Sequence, residues 1–259
     1  MESTGNIFRF LKTRQSLSVL FDKLASRLFD TQGSLDQAQN LAWLQSQAVD
    51  FAELAVARDR RLWSEAKQFS DNLATRAEAK LKEIDVELGG GGHYAMLYFL
   101  ARALKPHVIV ETGVAAGYSS ASFLAAIERN AVGKLCSSDF PYFRLASPEQ
   151  YIGLLVDEKY REAWTLHIDG DKANLARILN EVGYIDLFHY DSDKRYRSKQ
   201  RSLTTIETRL SPQAHLVFDD IQDDSFFHDL VINRERYSSH WSVIAYEGKF
   251  IGWIHPHWD

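Results

Sequence analysis

From residue 108 onward, short apolar runs alternate with longer segments of helical periodicity. Seven of the runs have the length of a β-strand, at 108–112, 134–139, 164–168, 185–190, 214–219, 241–246 and 249–254. Helical segments separate the first five runs, which predicts parallel βαβ units. Only Glu247, Gly248 and their immediate neighbours separate the last two runs, which is the length of a hairpin. We therefore expect an α/β fold with a seven-stranded, mostly parallel sheet and an antiparallel last strand.

Residues 1–87 follow a different pattern, in which apolar side chains recur at helical spacing. The first such stretch covers positions 10–28, and a second is expected to follow Ser34, its predicted N-cap. A third is expected from Arg60 to Ile84. The predicted apolar face of the second stretch consists of Leu41, Leu44, Ala48, Phe51, Ala52 and Ala55. Such helices either pack on the rest of the chain or pair across a homodimer, and the sequence leaves both open.

Four consecutive glycines, Gly89 to Gly92, interrupt the helical region. They are expected to serve as a linker or to let the backbone approach a ligand closely. A further helix is predicted from His93 to Leu104, where Pro106 prevents its continuation. We therefore divide the chain into a helical N-terminal extension, residues 1–87, and an α/β domain, residues 88–259.

Composition and charge narrow the class of protein. Apolar residues make up 45% of the 259 residues, which permits a sizeable core. The formal net charge of −5 argues against general nucleic-acid binding. Cys136 is the single cysteine, so an internal disulfide framework and cysteine-rich metal sites are excluded. We find no signal-peptide pattern and no transmembrane segment, and we expect a cytoplasmic protein.

The most informative motif follows the first strand of the α/β domain. Glu111-Thr-Gly113-Val-Ala-Ala-Gly117-Tyr-Ser119 joins that strand to a helix, the layout of a nucleotide-binding loop. A carboxylate at the mouth of such a loop repels a pyrophosphate. It suits S-adenosylmethionine (SAM), which carries a sulfonium and an ammonium group. The glycine pattern of dinucleotide-binding dehydrogenases, Gly-x-Gly-x-x-Gly, is absent.

Acidic residues follow the later strands, at the edge of the sheet where open α/β folds bind ligands. Asp139 lies 22 positions after Gly117, where a carboxylate can accept hydrogen bonds from ribose hydroxyls. Asp171 follows the third strand and is expected near the adenine. Asp191 follows the fourth strand, and the pair Asp219 and Asp220 follows the fifth.

Three of these blocks together resemble class I SAM-dependent methyltransferases. They begin at Glu111, at Ile185 (Ile-Asp-Leu-Phe-His-Tyr-Asp-Ser-Asp-Lys-Arg-Tyr) and at Val217 (Val-Phe-Asp-Asp). The resemblance spans roughly residues 88–255 and is strongest to small-molecule O-methyltransferases of the catechol, macrolide-tailoring and sugar-tailoring types. It implies a Rossmann-like sheet, SAM as cofactor and a small-molecule hydroxyl as acceptor. The implied cofactor-binding residues are Glu111, Gly113, Gly117, Ser119, Asp139 and Asp171.

The resemblance also implies a metal-assisted reaction. In the metal-dependent members, acids at the positions of Asp191, Asp219 and Asp220 hold Mg²⁺, which prefers oxygen ligands. A lysine at the position of Lys194 is the general base of the catechol-type enzymes. Many sugar-type relatives carry His there, and often Gly where Ser192 stands in this chain. The implied catalytic residues are therefore Lys194 and Asp191.

Three other interpretations remain open from the sequence. The chain could be a metal-independent methyltransferase, an NAD-dependent oxidoreductase on the same scaffold, or a catalytically silent binding protein that retains the fold. The missing dehydrogenase glycine pattern argues against the second, and the intact acids argue against the third. The sequence does not identify the methyl acceptor.

Overall fold

The computed structural model describes residues 31, 33–82, 84, 88–140, 148–256 and 258. Its helices and strands alternate through most of the chain. The helices are α1 (Gln37–Gln47), α2 (Phe51–Leu81), α3 (Tyr94–Leu104), α4 (Tyr118–Asn130), α5 (Asp171–Glu181), α6 (Tyr196–Ile206) and α7 (Phe226–Asn233). The strands are β1 (Ala48–Val49), β2 (Val108–Thr112), β3 (Lys134–Ser138), β4 (Trp164–His167), β5 (Ile185–Tyr190), β6 (Leu210–Phe218), β7 (Trp241–Tyr246) and β8 (Lys249–Ile254).

The strands form one sheet in the order β1-β7-β8-β6-β5-β2-β3-β4. Strands β2 to β6 pair in parallel, whereas β8 runs antiparallel to both of its neighbours, β6 and β7. The predicted α/β fold with an antiparallel last strand is therefore confirmed. The seven predicted strands are all present, and the fifth begins at Leu210, four positions earlier than predicted.

The N-terminal region differs from the prediction in three places. The second helical stretch is not continuous, because α1 ends at Gln47 and Ala48–Val49 form strand β1, which pairs in parallel with β7. Asp50 then caps α2 by accepting a hydrogen bond from the Ala52 N–H. The N-cap of α1 is Asp36, which forms a capping box with Gln39, and not Ser34. Leu41 is exposed, contrary to its predicted place on the apolar face.

Helix α2 extends further toward the N-terminus than the third predicted stretch. It begins at Phe51 and bends at Asp59, whose φ of −158° and ψ of 96° are not helical. The Asp59 carboxylate accepts hydrogen bonds from the N–H groups of Arg61 and Leu62, so it caps the second half of the helix. The predicted start near Arg60 thus coincides with this bend. The predicted first stretch, positions 10–28, lies outside the described residues.

The two faces of the sheet carry two hydrophobic clusters. One packs α2, α3 and α4 on the sheet and contains Phe51, Trp63, Phe99, Phe123 and Trp253. The other packs α1, α5, α6 and α7 on the opposite face and contains Leu44, Ile178, Phe188, Leu203 and Phe227. Helices α1 and α2, from the predicted N-terminal extension, therefore share their cores with the predicted α/β domain. The boundary at residue 87 stays a prediction.

None of the described helices combines the length and the apolar character needed to cross a bilayer.

Candidate functional site

The carboxyl ends of β3, β2, β5 and β6 lie side by side in the sheet, so the loops that follow them meet at one edge. One close contact joins the glycine loop after β2 to the loop after β5. A Cβ at Gly113 would lie 2.1 Å from the carbonyl oxygen of Asp191, and Gly113 has a φ of +85°. Both facts restrict this position to glycine. The cofactor-side and acceptor-side motifs predicted from the sequence are therefore in direct backbone contact.

Glu111 lies beneath the glycine loop and not at its mouth, which corrects the placement predicted from the sequence. Its side chain is fully buried and accepts hydrogen bonds from the hydroxyls of Ser119 (2.9 Å), Ser120 (2.6 Å) and Ser137 (3.1 Å). Burial raises the pKa of Glu111 to about 7, although the three hydroxyls oppose the shift. Glu111 joins β2, β3 and the start of α4. Its direct contact with a ligand stays a prediction.

Asp139 holds the glycine loop from the end of the neighbouring strand. Its Oδ2 accepts hydrogen bonds from the N–H groups of Val114 (3.0 Å) and Ala115 (2.7 Å), and its Oδ1 accepts one from the Phe140 N–H (2.6 Å). Burial raises the pKa of Asp139 to about 6, and these backbone donors oppose the rise. The carboxylate thus fixes the loop conformation at the place where the sequence predicts ribose binding.

The N-terminus of α4 completes the cofactor side. Gly117 has a φ of +96°, and a Cβ there would lie 2.8 Å from the Cα of Gly153, so a side chain is excluded. Tyr118 stacks on Tyr94 with ring centroids 4.8 Å apart. The segment that contains the four glycines is joined to the loop through a hydrogen bond from the Ala116 N–H to the Leu88 carbonyl.

Asp171 links two strand ends. It is the first residue of α5, and its carboxylate accepts hydrogen bonds from the hydroxyls of Ser138 (2.6 Å) and Ser192 (2.5 Å). The side chain therefore connects the end of β3 with the loop after β5. Its predicted position near the adenine stays a prediction.

The acids after β5 and β6 converge on two lysine ammonium groups; we call Asp191, Lys194, Asp219, Asp220 and Lys249 the acid–lysine cluster. Lys194 Nζ lies 3.2 Å from Asp191 Oδ1 and also contacts Asp220 Oδ2. Lys249 Nζ lies 3.5 Å from Asp220 Oδ1. Burial and the nearby charge of Asp219 raise the pKa of Asp191 to about 7.

Lys249 is a site residue that sequence reasoning missed. It follows the tight Glu247–Gly248 turn, whose two residues both have positive φ, and it is the first residue of β8. A hairpin between β7 and β8 was predicted, but the sequence did not indicate which motif its turn would reach. The turn returns the chain to the edge where Asp220 lies.

The predicted Mg²⁺ ligands do not fit a metal ion as they are arranged. In the part of the chain that the structure describes, no group of three or more His, Cys, Asp or Glu side chains could hold one. Each carboxylate oxygen of Asp220 faces an ammonium group, and Oδ1 also accepts a hydrogen bond from the Gln222 side chain (3.0 Å). Asp219 Oδ1 accepts a hydrogen bond from the Asp220 N–H (3.1 Å).

A buried polar brace supports the loop after β6. The Lys199 ammonium, on α6, lies 3.1 Å from Asp224 Oδ2 and 3.2 Å from the carbonyl oxygen of Asp220, and the side chains of both charged residues are almost fully buried. The Asn40 side chain, on α1, donates to the carbonyl oxygens of Ile221 (3.1 Å) and Asp224 (2.9 Å). Asp220, whose φ is +50°, is therefore fixed from two sides.

Comparison with known proteins agrees with this arrangement. Residues 110–221, which contain the glycine loop and both acidic strand ends, match the family model of a methyltransferase domain. No curated protein matches the sequence at a significant level.

Solved structures share the fold at low sequence identity. A methyltransferase from Geobacter sulfurreducens has a TM-score of 0.55 at 16% identity, over 71% of this chain and 90% of its own. The O-methyltransferase TomG from Streptomyces achromogenes, involved in tomaymycin synthesis and solved with SAM, has a TM-score of 0.55 at 17% identity, over 77% and 99%. An O-methyltransferase from Bacillus cereus, solved with SAH, has a TM-score of 0.51 at 15% identity, over 76% and 91%.

These structures establish the fold, and the family model identifies its central part. Residues 110–221 of this chain thus match a methyltransferase-domain model, within a fold that the chain shares with solved methyltransferases.

Proposed function

We propose that the protein transfers the methyl group of SAM to a hydroxyl oxygen of a small molecule. The observation that carries the proposal is the direct contact between the glycine loop and the loop that bears Asp191. A cofactor cradled by the first loop would lie beside a lysine and three acids at the second. Two of the similar solved structures are O-methyltransferases, which supports oxygen as the accepting atom.

On the cofactor side, we assign the methionine end of SAM to Gly113, Gly117 and Ser119. The two glycines leave room for a ligand to approach the backbone, and α4 begins with N–H groups that have no partner inside the helix. Asp139 is the proposed ribose partner, and Asp171 is the proposed residue near the adenine. Glu111 contributes indirectly, because its carboxylate accepts hydrogen bonds from Ser119 and Ser120 and so positions the start of α4.

On the acceptor side, we assign Lys194 as the base and Asp191 as the residue that orients it. Lys194 is about half exposed, and its ammonium is held 3.2 Å from Asp191 Oδ1. In the reaction, the acceptor oxygen forms a bond to the methyl carbon while the carbon–sulfur bond breaks. The hydroxyl proton leaves to Lys194, whose ammonium has first passed one proton to the Asp191 carboxylate, so Lys194 regains its positive charge as the methyl group is transferred. Much of the rate comes from the alignment of oxygen, methyl carbon and sulfur.

The predicted assistance by Mg²⁺ is not part of this mechanism, because both oxygens of Asp220 already face lysine ammonium groups. The homodimer through the N-terminal helices and the cytoplasmic location stay predictions. We treat α1 and α2 as structural parts of the methyltransferase unit, since Asn40 holds the loop after β6.

Calorimetric titration with SAM tests the proposal. We expect the wild type to bind SAM and to be protected from heat by SAM but not by NAD. Asp139→Ala should bind SAM at least about tenfold more weakly, because it loses the proposed ribose partner and two loop hydrogen bonds, together worth at least ~1.4 kcal/mol. The matched control is Asp169→Ala, since Asp169 follows β4 and pairs with Arg177 outside the loop. Absence of SAM binding to the wild type would overturn the proposal.

A turnover assay separates the enzyme from a silent binding protein. A panel of phenolic and sugar hydroxyl compounds is incubated with SAM, and SAH formation is measured. Lys194→Gln should retain SAM binding and lose most of the turnover, since it removes the base and leaves the glycine loop intact. Equal turnover of Lys194→Gln and the wild type would remove Lys194 from the mechanism.

A further inference from the structure

Three carboxylates lie close together at the edge where the acceptor is proposed to bind. Asp219 and Asp220 are almost fully buried, and the charge of Asp219 acts on Asp191. Carboxylates in such proximity repel one another unless a positive charge lies among them. The resemblance seen in the sequence implies that a divalent ion would supply that charge. Which group offsets the charges of these carboxylates in this chain therefore bears on how the acceptor is bound.

Each of the two ammonium groups of the acid–lysine cluster faces one carboxylate oxygen of Asp220. Lys194 contacts Oδ2 and also lies 3.2 Å from Asp191, so it bridges the loops after β5 and β6. Lys249 approaches Oδ1 from the β7–β8 hairpin. A divalent ion that used Asp220 as a ligand would have to displace at least one of these ammonium groups and would then be repelled by it.

The backbone fixes Asp220 in an orientation that lets its carboxylate contact both Lys194 and Lys249. Its φ of +50° is unusual for a residue with a side chain, and the carbonyl oxygen of the same residue accepts a hydrogen bond from the buried Lys199. The Gln222 side chain donates to Asp220 Oδ1, while its own Oε1 accepts a hydrogen bond from the Phe250 N–H (3.0 Å) next to Lys249. Gln222 thus ties the hairpin to the loop after β6.

Lys249 is also positioned to face the acceptor. A Cβ at Gly91 would lie 3.5 Å from Lys249 Nζ, so the ammonium lies between the four-glycine segment and Asp220. Tyr94 follows that segment, and burial raises the pKa of its hydroxyl, with smaller contributions from the nearby charges of Asp191 and Asp219.

We propose that Lys194 and Lys249 supply the positive charge of the acceptor site in place of a divalent metal, with Asp220 as the residue that positions both. The proposal rests on the function proposed above and extends it. It makes Lys249 a charged residue of the acceptor site and Asp220 its positioning residue. It also makes methyl transfer independent of Mg²⁺, because the two ammonium groups offset the acids without an ion.

Titration of the metal-free protein with Mg²⁺ tests the proposal without an activity assay. We expect no binding to the wild type below about 1 mM Mg²⁺. Lys194→Gln and Lys249→Gln each free one oxygen of Asp220 and remove one positive charge, so each should bind Mg²⁺ at least tenfold more tightly than the wild type. Lys194→Arg and Lys249→Arg keep the charge and should not gain affinity. Lys159→Gln, which removes an exposed lysine paired with Glu128 on another part of the surface, is the matched control.

Two results would overturn the proposal. One is binding of Mg²⁺ to the wild type at micromolar concentrations together with loss of that binding in Asp220→Asn. The other is the absence of any gain in both glutamine variants when their circular dichroism spectra match that of the wild type. A separate SAM titration of the same samples distinguishes failure of this proposal from failure of the proposed function. Once an acceptor is identified, turnover should be unchanged by a chelator.

Discussion

Glu111 and Asp220 are both buried carboxylates at the edge of the same sheet, yet their partners differ in kind. Glu111 is surrounded by three serine hydroxyls, which are neutral donors. Asp220 faces two lysine ammonium groups, one from the loop after β5 and one from the β7–β8 hairpin. Neutral donors only partly offset the cost of burying a charge, so the pKa of Glu111 is raised to about 7.

The contrast distinguishes Glu111, which stabilises the fold beneath the glycine loop, from Asp220, which lies at the proposed acceptor site. The partners of Glu111 come from β3 and α4, are themselves buried, and hold elements that should not move during catalysis. The partners of Asp220 are long side chains that are one-third to one-half exposed, so they can exchange one contact for another when a substrate arrives. Three predictions test this difference, from the largest expected effect to the smallest.

The largest effect on stability is expected at the buried ion pair between Lys199 and Asp224, which supports the loop that bears Asp220. Lys199→Met removes the partner of Asp224, and a buried charge without a partner is strongly unfavourable. We expect the free energy of unfolding to fall by about 3–5 kcal/mol, measured by urea denaturation. Arg201→Met, an exposed position on the same helix, should change it by less than about 0.5 kcal/mol.

The double variant Lys199→Met/Asp224→Asn refines this prediction. Asparagine is neutral and retains an oxygen that can accept from the Phe226 N–H, as Asp224 does. The double variant should therefore recover a large part of the lost stability. If it is as unstable as Lys199→Met alone, loss of packing and not an unpaired charge explains the effect.

A smaller effect that depends on pH is expected at Glu111. Its pKa rises from 4.5 to about 7 on folding, so the folded state binds the proton more tightly than the unfolded state. The stability of the wild type therefore falls as pH increases through this window. Glu111→Gln cannot ionise, and its stability relative to the wild type should increase by about 3 kcal/mol between pH 4.5 and pH 8. Parallel stability curves for the two proteins would contradict a raised pKa.

The smallest effect is expected from one of the hydroxyls around Glu111. Ser120→Ala removes the shortest of the three hydrogen bonds and should cost about 1 kcal/mol, because Ser137 still donates to the same oxygen. The control is Ser122→Ala, on the same helix, whose hydroxyl donates only to the Tyr118 carbonyl. A loss in Ser120→Ala no larger than in Ser122→Ala would mean that these hydroxyls contribute little.

The strand ends could be predicted from the sequence because a sheet imposes a simple rule on local patterns. Parallel strands place their carboxyl ends at one edge, so Gly113, Asp139, Asp191 and Asp219 had to lie near one another once the strands were recognised. The direction of each side chain was harder to predict. Glu111 was expected at the mouth of the loop, but alternation along β2 directs it toward Ser137 and α4.

The features that the sequence did not reveal all depend on contacts between distant parts of the chain. Lys249 reaches Asp220 through a hairpin turn, and Asn40 reaches Asp224 from a helix 184 positions away. Neither residue belongs to a recognisable motif, and a buried asparagine on a helix has no signature in the hydrophobic pattern. Strand β1 was missed for a related reason, since two residues are too short to show alternation.

Strand β1 has a consequence for how the protein could be shortened. By pairing with Val243 and Ile244, Ala48 and Val49 cover the backbone of β7, which would otherwise lie at the open edge of the sheet. Uncovered edges favour pairing with a second chain, and the sequence of β7 is the largely apolar Trp-Ser-Val-Ile-Ala-Tyr. An expression fragment that begins at residue 88 would lack β1 and leave β7 as an unpaired edge strand. We expect this fragment to aggregate even where the loops after β2, β5 and β6 are intact.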